Sequence, residues 1–199
     1  MQDIEVIARP AAAAAALDPI RSRLLAELAE PASAAALATR VGITRQKVNY
    51  HLKTLETHGL VEVAEHRKWG GLTERRMVAS AASYVVSPEA LGPAAPDPGR
   101  TGDRLSASYL IALAARMVRE VSDLGRRARE TGKRLPTLSL DTEVRFKSAA
   151  ERAAFTGELT EAVTRLVALY HDEGAPGGRA HRLVIVSHPL PTKGAKACR

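Results

Sequence analysis

Residues 42–61 read GITRQKVNYHLKTLETHGLV. Val48, Leu52 and Leu55 recur at i, i+4 and i+7, the spacing of a helix face built to be buried. At about 100° per residue, Gln46, Asn49, Tyr50 and Lys53 fall on the opposite arc, flanked by Arg45 and Lys47. No carboxylate appears until Glu56. An ordinary solvated helix face interleaves Glu with Lys to gain i,i+4 pairs, so this acid-free arc asks for an anionic partner.

The segments on either side set that helix in a domain. Asp18 before Pro19 is an N-cap followed by the residue favoured at the first helical position, and Ile20, Leu24, Leu25 and Leu28 make a short amphipathic helix. Ser33 caps a second helix with Leu37, Ala38 and Val41 facing inward, and Gly42 ends it. Thr44 caps the third helix and Gly59 stops it. Val61 to Glu65 then alternates with period two. After a tip around Lys68-Trp69-Gly70-Gly71 the chain returns through Thr73 to Ala79, a hairpin pattern. Helix, helix, short turn, helix and basic hairpin is the order of a winged helix-turn-helix, whose third helix is presented outward.

The stretch LDPIRSRLLAELAEPASAAALATRVGITRQKVNYHLKTLETHGLVEV resembles the ArsR-like winged-helix transcriptional regulators, with Val48, His51, Leu52, Leu55, Gly59, Leu60 and Val61 as the shared residues. The match spans residues 15–88. The second half, with LDTEVRF and a closing HRLVIVSHP, is similar to the C-terminal region of a bacterial branch of these regulators. The resemblance implies a regulator that binds double-stranded DNA.

For 199 residues, 45% hydrophobic and 26% charged, a folded globular protein is expected rather than a disordered chain. No apolar run approaches the ~20 residues of a membrane helix. The opening residues carry two acids before any base, so no signal peptide is read there and a cytoplasmic protein is expected. The single cysteine, Cys198, permits neither an internal disulfide nor a Cys-pair metal site. The formal charge of +7 suggests an anionic partner, yet residues 1–91 carry a net of only +1 and residues 92–199 a net of +6. Bulk charge would point to the wrong half, and local placement decides.

PEALGPAAPDPGRTGD, residues 88–103, holds four prolines and three glycines and reads as a linker. The expected organisation is a winged helix-turn-helix over 15–88, a linker over 89–103 and a C-terminal domain over 104–190. Together they make an α+β protein whose second domain runs helix, strand, helix, strand. In it, residues 104–131 form a long helix on which Leu110, Ala114, Met117, Val121, Leu124 and Ala128 step by 4 and 3, an a/d stripe. Residues 138–146 alternate as a half-buried strand, Ser148 and Glu151 form a capping box for a helix to Tyr170, and residues 182–187 read as a second strand.

Site residues follow from chemistry. Gln46 and Asn49 can pair bidentately with adenine, Arg45, Lys47 and Lys53 with guanine or phosphate, and Thr44 and Tyr50 can reach phosphates or thymine methyls. The N-terminus of the third helix also favours a phosphate. Arg67, Lys68 and Arg75 on the hairpin are expected to hold the DNA backbone or enter the narrow groove. His51 is read as a packed histidine satisfied by one hydrogen bond, and Trp69 either stacks or packs. The cations from Arg126 to Arg134 complement a helix C-terminus. Leu110, Met117, Val121 and Leu124 are the expected contact between two copies, because one winged helix reads few base pairs and specific affinity needs two half-sites of a pseudo-palindrome.

No cofactor or metal is expected. Residues 33–58 lack cysteine and 104–131 lack histidine, so the ligand sets that the resemblance would imply cannot be carried over. Two alternatives stand beside this reading: a metal- or small-molecule-responsive sensor, and a hydrolase using His171, Asp172, Ser187 and His188. No nucleophile elbow surrounds the latter set. Phe146, Phe155 and Tyr170 serve equally as core or as the lining of an effector pocket. A homodimeric repressor of transcription is the expectation.

Overall fold

The computed structural model describes residues 2–69 and 72–191. The expected hairpin tip Gly70-Gly71, and the tail residues Lys193, Lys196, Cys198 and Arg199, lie outside the described residues. The chain divides into two compact units, with the boundary between Leu135 and Pro136.

The first unit opens with β1 (Gln2–Ile7) and α1 (Pro10–Leu17), followed by α2 (Pro19–Glu27), β2 (Ala32–Ser33), α3 (Ala34–Val41) and α4 (Arg45–Thr57). Next come β3 (Val61–Trp69), β4 (Leu72–Ala79) and β5 (Ala81–Val86). Local chemistry places the helix ends. The Asp18 carboxylate accepts the N–H groups of Ile20 and Arg21, each at 3.0 Å. Ser33 accepts from Ala36 and Thr44 from Lys47, both at 3.3 Å. Gly42 and Gly59 take φ of +74° and +78°, the left-handed region that closes a helix at little cost only for glycine.

Leu24, Leu28, Leu37, Val48, Leu55 and Leu60 are fully buried where α2, α3, α4 and the start of β3 converge. The core also takes in Ile7, Ala12, Ala13 and Ala15, so the folded domain starts before residue 15. Close approach is what an alanine run permits: α1 can sit against its neighbours because its side chains are small. β3 and β4 pair antiparallel, from Val61 opposite Ala79 to Trp69 opposite Leu72, with an irregularity between Val63 and Glu65. β2 joins the outer side of β4, with Ala32 opposite Met77, giving the order β2-β4-β3. The extra strands β1 and β5 pair parallel, from Gln2 opposite Ala81 to Ile7 opposite Val86. Tyr84 ties this ribbon to the domain by donating to the Leu60 carbonyl at 2.7 Å.

The expected linker is not a spacer. Residues Pro88–Ala94 and Pro98–Arg100 form 3-10 turns, capped by Ser87 on Glu89 at 3.2 Å and by Asp97 on Gly99 at 2.9 Å. Arg100 donates to the carbonyls of Pro93 and Ala95, and Pro98 is buried. Proline and glycine exclude α-helix and ladder, but they leave capped 3-10 turns available. These turns pack on α5 (Ala107–Glu130), so the first compact unit runs through Leu135 rather than ending near residue 88.

α5 buries Ala112 and Ala115. By the ~100° step, Leu110, Met117, Val121 and Leu124 lie on the opposite side. Met117, Val121 and Leu124 are 46–48% exposed.

The second unit holds α6 (Ala149–Tyr170), which starts as expected: Ser148 accepts from Glu151 at 3.1 Å. The Glu151 carboxylate takes the N–H of Lys147 at 2.5 Å. Phe146 and Phe155 meet with ring centroids 5.3 Å apart. The two strands expected at 138–146 and 182–187 are not formed, and both segments carry no regular structure. Alternation alone does not make a strand, because the backbone groups also need a ladder partner. Of the expected helix-strand-helix-strand order, both helices form, as α5 and α6, and neither strand does. No described residue from 136 to 191 is buried, and Leu140, Leu169, Tyr170 and Ile185 are all exposed. Among the described residues, no helix is long and apolar enough to cross a membrane.

Candidate nucleic-acid interface

α4 is pinned on its apolar side by Val48 and Leu55, both 0% exposed, and by Leu52. That anchoring turns Arg45, Gln46, Lys47, Asn49, Tyr50 and Lys53 outward, and all six are exposed. Tyr50 also meets the His51 ring edge-on at 5.4 Å. Apart from Glu56 the helix carries no acid. Thr44 has a structural duty as the cap of α4, since its hydroxyl accepts from Lys47. The O–H proton remains available to a phosphate.

His51 is half buried, as expected of a packed side chain, but its Nδ1 is buried without a hydrogen-bond partner. The single satisfying bond expected there is missing at that atom. Asp18, at the start of α2, ionises below the ordinary carboxylate range. The Arg21 N–H bonded to its carboxylate is the largest cause, and burial opposes it. The Arg21 guanidinium at 3.6 Å and the Ile20 N–H add to the lowering.

The hairpin divides its cations. Arg67 and Lys68 are exposed toward the end of β3, opposite Glu74 and Thr73. Arg75, also expected to face DNA, reaches α4 and donates to Glu56 at 2.5 Å. Arg76 is held by Glu65 and by the carbonyl of Pro31. A charge type is visible in sequence, but the carboxylate that captures it lies on another element. That is the signal sequence reasoning lacked for Arg75.

The residues of the rival hydrolytic set make local contacts. His171 faces Glu173 at 3.5 Å, Asp172 accepts from Gly174 at 2.8 Å, and His188 Nδ1 lies 3.0 Å from the carbonyl of Pro189. Each of these contacts is with a residue one or two positions away. No cluster of three or more His, Cys, Asp or Glu placed to hold a metal ion occurs among these residues.

α2, then α3 joined by a tight turn to α4 with its outward polar face, and a basic hairpin define a winged helix-turn-helix domain. Residues 16–64 match a family model described as "Helix-turn-helix domain". No curated protein matches the chain. Among solved structures, NolR from Sinorhizobium fredii is 18% identical, with 62% of this chain and 84% of that one covered and a TM-score of 0.31. The MarR family transcription regulator SP03579 is 15% identical, covering 81% and 78%, with a TM-score of 0.27. Both are distant likenesses.

Proposed function

We propose that this protein is a sequence-specific DNA-binding transcription regulator of the ArsR-like kind, a cytoplasmic homodimeric repressor acting on a pseudo-palindromic operator. The observation that carries the reading is the outward face of α4. Its amides and cations are fully presented, and its only carboxylate is drawn to Arg75. Gln46 and Asn49 are short, directional amides suited to base edges, and Arg45, Lys47 and Lys53 add charge for phosphates and guanine. Lys68 and Arg67 extend the same chemistry along the wing.

The two-copy reading rests on the outer stripe of α5. Half-exposed Met117, Val121 and Leu124 in a 4-3 spacing are what a seam between helices requires. A second copy would also offer cover to the uncovered apolar residues of 136–191. The reading is tested by selecting duplexes from a random pool with the purified protein and footprinting the winner. Two protected half-sites about one helical turn (~10 base pairs) apart are expected. A pool that yields no enriched sequence refutes the sequence-specific reading.

A further inference from the structure

Glu56 stands about 20° from Asn49 around α4, two turns further on. It shares with Asn49, Lys53, Arg75 and Met77 a cleft of about 380 Å³ between α4 and β4. A bare carboxylate at that position would meet the phosphates that Lys53 is placed to hold. The Arg75 guanidinium lies on it instead, 2.5 Å from Oε1.

We infer that Arg75 is the built-in counterion of Glu56 rather than a phosphate ligand, a positioning residue that keeps the reading face of α4 free of negative charge as DNA approaches. The inference rests on the DNA-binding reading above. Side chains that are 51% and 36% exposed gain little folding stability from such a pair. The β3–β4 ladder holds the hairpin without it, so variants of the pair should fold.

The test uses a duplex enriched by the parent protein and an unselected duplex of equal length. Salt titrations compare the parent, Arg75→Ala, and Arg75→Ala combined with Glu56→Gln. The single variant is expected to bind both duplexes about fivefold more weakly, the scale of one exposed charge against a phosphate in water. The double variant should return to within about twofold of the parent with the same salt slope. A double variant that stays weak, with a slope lower by about 0.9, would make Arg75 a phosphate contact and overturn the inference. Weak binding with an unchanged slope would overturn it too, assigning the pair to wing geometry. So would a single variant that binds like the parent, since Glu56 would then go unfelt by DNA. A parent that enriches no duplex and does not bind the unselected one removes the DNA-binding reading itself, and is recognised before any substitution is made.

Discussion

Replacing Met117 and Leu124 together by aspartate should turn a dimer into a monomer. These side chains are 46% and 48% exposed in the single chain, so about half of each remains to be covered by a partner. Full burial of such a side chain contributes about 1.5–3 kcal/mol, and half of that is about 1 kcal/mol. Two-fold symmetry counts each position twice, giving about 4 kcal/mol in total. At about 1.4 kcal/mol per factor of ten, the dimer dissociation constant rises roughly a thousandfold. Bringing four carboxylates into the seam adds desolvation and mutual repulsion on top. Folding of each copy should survive, because Ala112 and Ala115 pack on the other side of α5. Sedimentation or light scattering across a concentration series reads the result, with an unfolding curve as control. A parent protein that is monomeric throughout, or a double variant that stays dimeric, refutes the reasoning.

Asp18→Ala should destabilise the fold by about 1 kcal/mol at pH 7, since the cap on Ile20 and Arg21 is lost. The folded carboxyl has a lowered pKa, so its contribution is complete above the unfolded value near 3.9 and fades as pH falls through the folded one. Urea unfolding at pH 7 and pH 3 should show the gap between parent and variant narrowing, and a gap that widens in acid contradicts the assignment. Operator binding should persist in EDTA and survive added zinc, nickel, copper or arsenite. Release by a micromolar metal, read by fluorescence anisotropy, would contradict that expectation.

What was legible in sequence is what local signals control. Asp18-Pro19, Ser33, Gly42, Thr44 and Gly59 each mark a helix end through a bond or a dihedral within a few residues, and the structure ends its helices there. β1 was missed because its partner β5 sits at the far end of the domain, and six residues carry no hint of that pairing. α1 was missed because its burial comes from the smallness of alanine, which leaves no apolar stripe. The prolines of 88–103 broke regular structure as expected, yet Ser87, Asp97 and Arg100 fold them into capped turns. In 138–146 the alternation is present, in 182–187 a short apolar run, and neither segment finds a ladder. The candidate site was legible on α4, where one face dictates the other. It was less so on the wing, where Arg75 answers to a glutamate 19 residues away.

Base reading and phosphate holding separate most directly in paired salt titrations on the enriched and unselected duplexes. Gln46→Ala and Asn49→Ala should each lose about 1–3 kcal/mol on the enriched duplex and little on the other. Lys53→Ala and Lys68→Ala should weaken both duplexes alike and lower the salt slope by about one unit each. Should all four variants bind the enriched duplex as tightly as the parent, the outward face of α4 is only a surface, and the recognition-helix assignment fails.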